Sequence, residues 1–338
     1  MSLLSEFAFM PGTNDSLKTI ADAIRSADQI AVACHLRPDG DAIGSIVGLA
    51  RSLALAGKHV RVLSEDGVPW NLVFLPFTDI VEKSAAEPLE LDVAIALDTA
   101  TKERLGERTL RAFSDASLLI NIDHHGTNPR YGHLNHVDTS APATGQIVYE
   151  LLTSHEFPMD DAVRENLFAA ISTDTGSFQY SSTAPRTHRI VAEMMEAGLD
   201  TSILAQKLYQ EHPLRRVQLQ KALLNEMKLC AEGRIASWAL THETQRAVEM
   251  DAGDTEGLID SLRTIQGVVA AVMFEETSEG KVRVSARSKD ARLDVSKVCA
   301  EFGGGGHRMA AGARLSGPVA AAEERFLKIL TNELIRLG

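Results

Sequence analysis

The sequence predicts an α/β protein in two parts. A parallel-sheet domain with helices on both faces comes first, and a helical linker joins it to a smaller mixed α/β domain. Three observations predict this. Short apolar runs alternate with stretches of helical periodicity through the first half of the chain, the pattern of a parallel sheet. Acids and histidines follow those apolar runs, where ligands of such sheets bind. A second set of strand and helix patterns begins after a long helical stretch, and 338 residues are enough for two domains of ordinary size. The expected boundaries are 1–198, 199–228 for the linker, and 229–338.

Element by element, 29–34 is a short apolar run read as a buried strand. It ends in His35-Leu36-Arg37-Pro38-Asp39-Gly40-Asp41, read as a loop because Pro38 and Gly40 are breakers. Helical periodicity covers 42–56, and 59–63 is a second strand. Two more apolar strands, 91–97 and 117–122, end at Asp98 and Asp123. Helical patterns cover 144–154, 161–171, 186–198 and 201–227, with Gly198 stopping the third and Pro213 able to start a new helix inside the last. In the second part, 234–241, 267–274 and 281–287 read as strands, and 295–300 and 319–336 as helices. There is no tandem repeat and no low-complexity segment.

Composition narrows the function. The chain is 44% hydrophobic and 24% charged, as in a soluble globular protein. No apolar run has the length of a membrane span, and no signal peptide is evident. Three cysteines, odd in number and far apart, argue against a disulfide framework and fit a reducing cytoplasm. Met1-Ser2-Leu3 is open to reading as a cloning remnant. A net charge of −12 makes the chain a poor candidate for gripping long duplex nucleic acid, which is bound by phosphate neutralisation. Residues 281–297 run against that balance, with Lys281, Arg283, Arg287, Lys289, Arg292 and Lys297 against Asp290 and Asp294. A local basic face on an acidic body suggests a small anionic ligand.

The chemistry concentrates in four segments. His35, Asp39 and Asp41 fall in the first loop, which can turn three ligands toward one point, with Gly40 letting the backbone fold tightly between the aspartates. The plain alternative for Asp41 is a helix N-cap. Asp98 follows an apolar run, and a carboxylate there can bridge two cations with its two oxygens. Asp123-His124-His125 puts two imidazoles directly after a strand, costly to bury without partners. One can ligate a metal while the other faces substrate or is held by a carboxylate. Asp174 sits in Thr173-Asp174-Thr175-Gly176. Together these residues are a nitrogen and oxygen donor set suited to Mn²⁺, Mg²⁺ or Zn²⁺. There are more ligands than one ion needs, and a two-ion site points to phosphoester hydrolysis.

These four segments resemble the motifs of the DHH phosphoesterase superfamily. Ser285-Ala286-Arg287-Ser288-Lys289 and Gly303-Gly304-Gly305-Gly306-His307 through Gly312 resemble the arginine and glycine-rich histidine motifs of the DHH-associated C-terminal domain. Length and domain order are similar to the nano-RNase and pAp-phosphatase (NrnA-like) branch. The resemblance implies an active site in the interdomain cleft and two manganese ions, with magnesium or cobalt as substitutes. His35 and Asp39 would hold one ion and Asp41, His124 and Asp174 the other, with Asp98 bridging. His125 would contact the phosphate or leaving group, and Asp123 would orient histidines. On these grounds Asp98, His124, His125 and Asp174 are the expected catalytic set. Arg287, Ser288, Gly304, Gly305 and His307 would bind substrate with His125. Gly303 to Gly306 permit positive φ, so their amides can form an anion nest. Arg287 can neutralise phosphate bidentately, as a lysine cannot.

The implied substrates are short oligoribonucleotides and 3′-phosphoadenosine 5′-phosphate (pAp), in the cytoplasm, and a homodimer is compatible with this. With 5% aromatic residues, few stacking platforms exist for a processive channel. Cyclic di-AMP or pApA phosphodiesterase activity is the alternative within the enzyme class, and a non-catalytic nucleotide sensor the alternative outside it. His133, His136, Trp70 and Phe74 read as structural rather than as ligands or base platforms.

Overall fold

The computed structural model describes residues 12–84, 86–251, 253–255 and 257–337, so Met1, Ser2 and Leu3 lie outside the described residues. The chain divides into two compact units between Glu211 and His212.

The first unit comprises α1 (Leu17–Ser26), β1 (Gln29–Ala33), α2 (Gly40–Leu55), β2 (His59–Ser64), β3 (Val81–Lys83), β4 (Val93–Leu97), α3 (Glu107–Ala112), β5 (Leu118–Asp123), β6 (Leu134–Val137), α4 (Thr144–Ser154), α5 (Asp161–Asp174), α6 (Pro185–Glu196) and α7 (Thr201–Tyr209). Its six strands form one parallel sheet in the order β3-β2-β1-β4-β5-β6. The chain builds outward from β1 in one direction, then returns to β4 and builds in the other. The C-terminal ends of β1 and β4 therefore flank a topological switch point, where open α/β sheets leave a crevice.

Side-chain size differs between the two faces of this sheet. Ile30 and Val32 of β1 and Val93, Ile95 and Leu97 of β4 pack with residues of α1, α2, α4 and α5 in the larger core. Ala31, Ala33, Ala94 and Ala96 face the opposite way, toward Leu105, Ala112 and Phe113. Alternation along each strand thus sends bulk to one side and methyl groups to the other. Helices cover both faces, as the sequence pattern implied.

Helix α2 is buried almost all round, and glycines allow it. A Cβ on Gly40 would lie 2.4 Å from Thr173 Oγ1, one on Gly44 2.3 Å from the Asn166 carbonyl oxygen, and one on Gly48 2.9 Å from Leu167 Cδ2. All three neighbours are on α5, so the glycine stripe sets how closely the two helices approach. This corrects the reading of Gly40 as a turn former. It is helical, lacks positive φ, and is small because Thr173 lies against it.

The second unit comprises α8 (Leu214–Glu226), β7 (Lys228–Cys230), β8 (Ile235–Leu240), α9 (His242–Ala247), α10 (Leu258–Arg263), β9 (Ala270–Glu276), β10 (Lys281–Ser288), α11 (Val295–Ala300), β11 (Gly305–His307), β12 (Ala310–Ser316) and α12 (Val319–Arg336). Its sheet order is β11-β12-β10-β9-β8-β7, with β8 and β9 parallel and the other pairs antiparallel. Along β10, Val282, Val284 and Ala286 enter the core with Phe274, Phe326 and Leu330. The odd positions Lys281, Arg283, Ser285 and Arg287 face the other way. Trp238 and Met273, on that second side, pack with Leu219, Leu223, Leu258 and Leu262 from α8 and α10. Among the described residues no helix is long and apolar enough to cross a membrane.

Candidate metal centre

Each acid or histidine of the first unit reaches the site by a different local device. His35 stands two residues beyond β1. Its Nδ1 lies 2.8 Å from the Leu36 carbonyl oxygen, which makes Nδ1 the donor and turns Nε2 inward. Arg104 Nη2 is also 3.2 Å from that Nδ1. The shorter contact to a carbonyl decides the tautomer. Asp39 is the N-cap of α2, its Oδ1 accepting from the Ala42 amide at 3.1 Å, and its other oxygen lies 3.7 Å from His35 Nε2. Asp41 is not a cap of its own helix and not in a loop. It stands in the first turn of α2. Its Oδ2 accepts from the Thr144 amide at 2.7 Å and its Oδ1 from the Gly145 amide at 2.8 Å and from Ser45 Oγ at 3.1 Å.

Asp98 occupies the centre. It follows β4 with φ of 52°, a left-handed conformation that aspartate tolerates better than most residues. Its Oδ2 lies 3.3 Å from His35 Nε2, and its Oδ1 lies 3.5 Å from His124 Nε2 and 3.7 Å from His125 Nδ1. Thr144 Oγ1 donates to Oδ1 at 3.1 Å. At the end of β5, His124 turns its Nδ1 toward the Ala141 carbonyl oxygen at 3.3 Å. Its Nε2 lies 3.4 Å from Asp174 Oδ2 and 3.9 Å from Asp41 Oδ2. Asp174 is the last residue of α5, held near Asp41 by the glycine contact between α2 and α5.

His125 points differently. Its Nδ1 lies 2.8 Å from Asp123 Oδ1. Asp123 is fully buried, and its Oδ2 accepts from Asn128 Nδ2 at 2.6 Å. Asn128, Asn121 and Tyr131 form a polar layer behind this pair. Asn128 follows the triplet by only three residues, yet a Gly-Thr-Asn turn gives no sign that its amide reaches back. His133 Nδ1 accepts from the Leu119 amide at 2.8 Å, and His136 Nδ1 lies 2.7 Å from the Asp15 carbonyl oxygen, so both are engaged with backbone. Phe74 packs against the larger core.

Burial and the crowding of acids and imidazoles shift most of these groups. Burial pushes the Asp41 carboxyl well up, and Asp98 and Asp174 push it further. Burial, with Asp39 and Asp98, raises Asp174 to about 7 against the pull of His124. Burial also opposes ionisation of Asp98, but His124 and His35 outweigh it and hold that carboxyl well below the usual range. For His35 burial works against the charged form, yet Asp39 and Asp98 raise it to about 10. Among the described residues, the groups whose donor atoms lie within 4.8 Å of one another include His35 with Asp39 and Asp98, and Asp41 with Asp98 and His124. These two share Asp98. The donor set fits oxygen- and nitrogen-loving cations.

In the second unit, Arg287, Ala310 and His307 stand in one row across β10, β12 and β11. Residues in a row project to the same face, so Arg287 and His307 share a face of this sheet. Ser288 does not join them. It is fully buried, and its hydroxyl donates to the Asp290 carbonyl oxygen at 3.0 Å. The glycine run departs from the expected anion nest. Gly303, at φ 72°, closes a Schellman motif on α11, with its amide on the Ala300 carbonyl oxygen at 2.9 Å and the Gly304 amide on that of Cys299 at 2.9 Å. Gly305 and Gly306 already belong to β11. The basic segment is partly self-paired, Arg283 with Glu275 and Arg292 with Asp290.

The chain matches the DHH family N-terminal domain over residues 29–172 and the DHHA1 domain over residues 243–335. It is 34% identical to the bifunctional oligoribonuclease and PAP phosphatase NrnA of Thermus thermophilus, over 96% of this chain and 96% of that protein. Identity is 30% to the protein of the same name from Bacillus subtilis, over 85% of this chain and 90% of the relative. A solved structure of an exopolyphosphatase-related protein from Bacteroides fragilis, 25% identical, superposes with a TM-score of 0.84 over 94% of this chain and 96% of its own. The chain belongs to the DHH phosphoesterase family, in its NrnA-like branch with a DHHA1 domain, and is a hydrolase of phosphoester bonds.

Proposed function

We propose that this protein is a manganese-dependent, two-ion phosphoesterase that hydrolyses short oligoribonucleotides and pAp. The observation that carries this reading is Asp98 shared between two donor groups, in a chain 34% identical to a bifunctional oligoribonuclease and PAP phosphatase. His35 and Asp39 would hold one ion, Asp41, His124 and Asp174 the other, and Asp98 would serve both. When bound, the two ions polarise the phosphoryl group and acidify the attacking water. Asp123 orients His125 toward the phosphate or the leaving oxygen. Arg287 neutralises charge on the phosphate oxygens with two parallel hydrogen bonds, and His307 adds a donor. A net charge of −12 for the whole chain, against which this small cationic set is a local exception, disfavours a long strand, which supports short substrates.

The test is a product-resolved assay with manganese on pAp, RNA from dinucleotides to heptanucleotides, single-stranded DNA and cyclic di-AMP. The expected outcome is AMP and phosphate from pAp, and mononucleotides from the shortest RNAs faster than from longer ones. A dominant preference for cyclic di-AMP would overturn the substrate assignment and leave the metal chemistry standing.

A further inference from the structure

We infer that Thr144 is a positioning residue of the metal centre, its hydroxyl fixing the Asp98 carboxylate while its backbone amide fixes that of Asp41. This rests on reading the site as a two-ion centre.

Thr144 is the first residue of α4 and fully buried. A serine, threonine or aspartate at the start of a helix ordinarily caps that helix. Here the residue at the cap position is Ala143, which has no side-chain hydrogen bond to give. The first amides of α4 go instead to Asp41, far back in the chain, at 2.7 Å from Thr144 and 2.8 Å from Gly145. The Thr144 hydroxyl is thereby released from capping and donates to Asp98 Oδ1 at 3.1 Å. One residue thus holds two carboxylates that arrive on different elements.

Lone-pair counting shows what this does. A carboxylate accepts at about four positions. Thr144, Gly145 and Ser45 take three of those on Asp41, which leaves one and makes Asp41 a ligand through a single oxygen. Asp98 must keep one oxygen toward His35 and the other toward His124, at 3.3 and 3.5 Å. Rotation about its side-chain bonds would break that division. The hydroxyl on Oδ1 opposes the rotation. Packing fixes the donor in turn, since a Cβ on Gly145 would lie 2.4 Å from Ala170 Cβ and so α4 begins pressed against α5. A donor on a rigid element is what orients a metal ligand effectively.

Thr144→Val removes the hydroxyl and keeps the shape, whereas Thr144→Ser keeps the hydroxyl and removes the methyl. Manganese binding to full-length protein, measured by calorimetry, should weaken roughly tenfold or more in the valine variant. The serine variant should stay near wild type, and the metal-free melting temperature of each reports on the fold. Thr144→Ala, which also lacks the hydroxyl, serves if the valine variant does not fold. Wild-type affinity in the hydroxyl-free variant would overturn the inference, as would equal weakening in the serine variant, which would assign the effect to packing. If wild type itself binds no manganese, the two-ion reading fails and this inference with it. If wild type binds and the hydroxyl-free variant binds equally, only the role of Thr144 is lost.

Discussion

Asp98→Asn is expected to lower phosphoesterase turnover by about a thousandfold or more, since the ions contribute several kcal/mol to the transition state and tenfold corresponds to about 1.4 kcal/mol. The effect should exceed that of any other single ligand change, because Asp98 alone is common to the group with His35 and Asp39 and the group with Asp41 and His124. Asparagine is the informative replacement. It is nearly isosteric, and it tolerates the φ of 52° at this position. The fold should therefore persist while the bridging charge is gone. Steady-state hydrolysis of pAp with the melting temperature of the metal-free protein checks both halves. Activity near wild type in a folded variant would remove Asp98 from the chemistry.

The second large effect is expected at Arg287. Loss of its guanidinium in Arg287→Ala should lower kcat/KM for phosphorylated substrates by roughly 10- to 100-fold, the range for charge-assisted hydrogen bonds to phosphate. Manganese affinity should not change, because Arg287 stands on β10 of the second unit and none of the proposed ligands is there. Arg287→Lys should recover part of the loss, as a point charge without the bidentate geometry. Kinetics and metal titration on the same preparations separate the two properties. Parallel loss of metal would argue against a substrate-binding role.

Much of this was legible before the fold was known, for physical reasons. Strands buried on both faces read as continuous apolar runs, so β1, β4 and β5 stood out, and parallel pairing put His35, Asp98 and the Asp123–His125 triplet at one end. What the sequence did not reveal depends on contacts far apart in the chain. Asp41 looked like a loop ligand or a cap of its own helix, but its oxygens go to α4, 103 residues on. Gly40 looked like a turn former because its contact with Thr173 joins two distant helices. β12 was missed because Ala310, Ala311, Gly312 and Ala313 carry no β-branched or aromatic residue. The glycine run looked like a cradle, yet its first half ends α11 by a Schellman motif. Thr144 read only as a helix start, because nothing local shows that Asp98 needs a donor.

The proposed chemistry turns on two cations sharing Asp98. Anomalous diffraction from manganese-loaded crystals tests it most directly. Two manganese peaks per chain are expected, one among His35, Asp39 and Asp98 and the other among Asp41, His124, Asp174 and Asp98, with Asp98 touching both. A single peak at saturating manganese, or two peaks with Asp98 bound to only one, would contradict it.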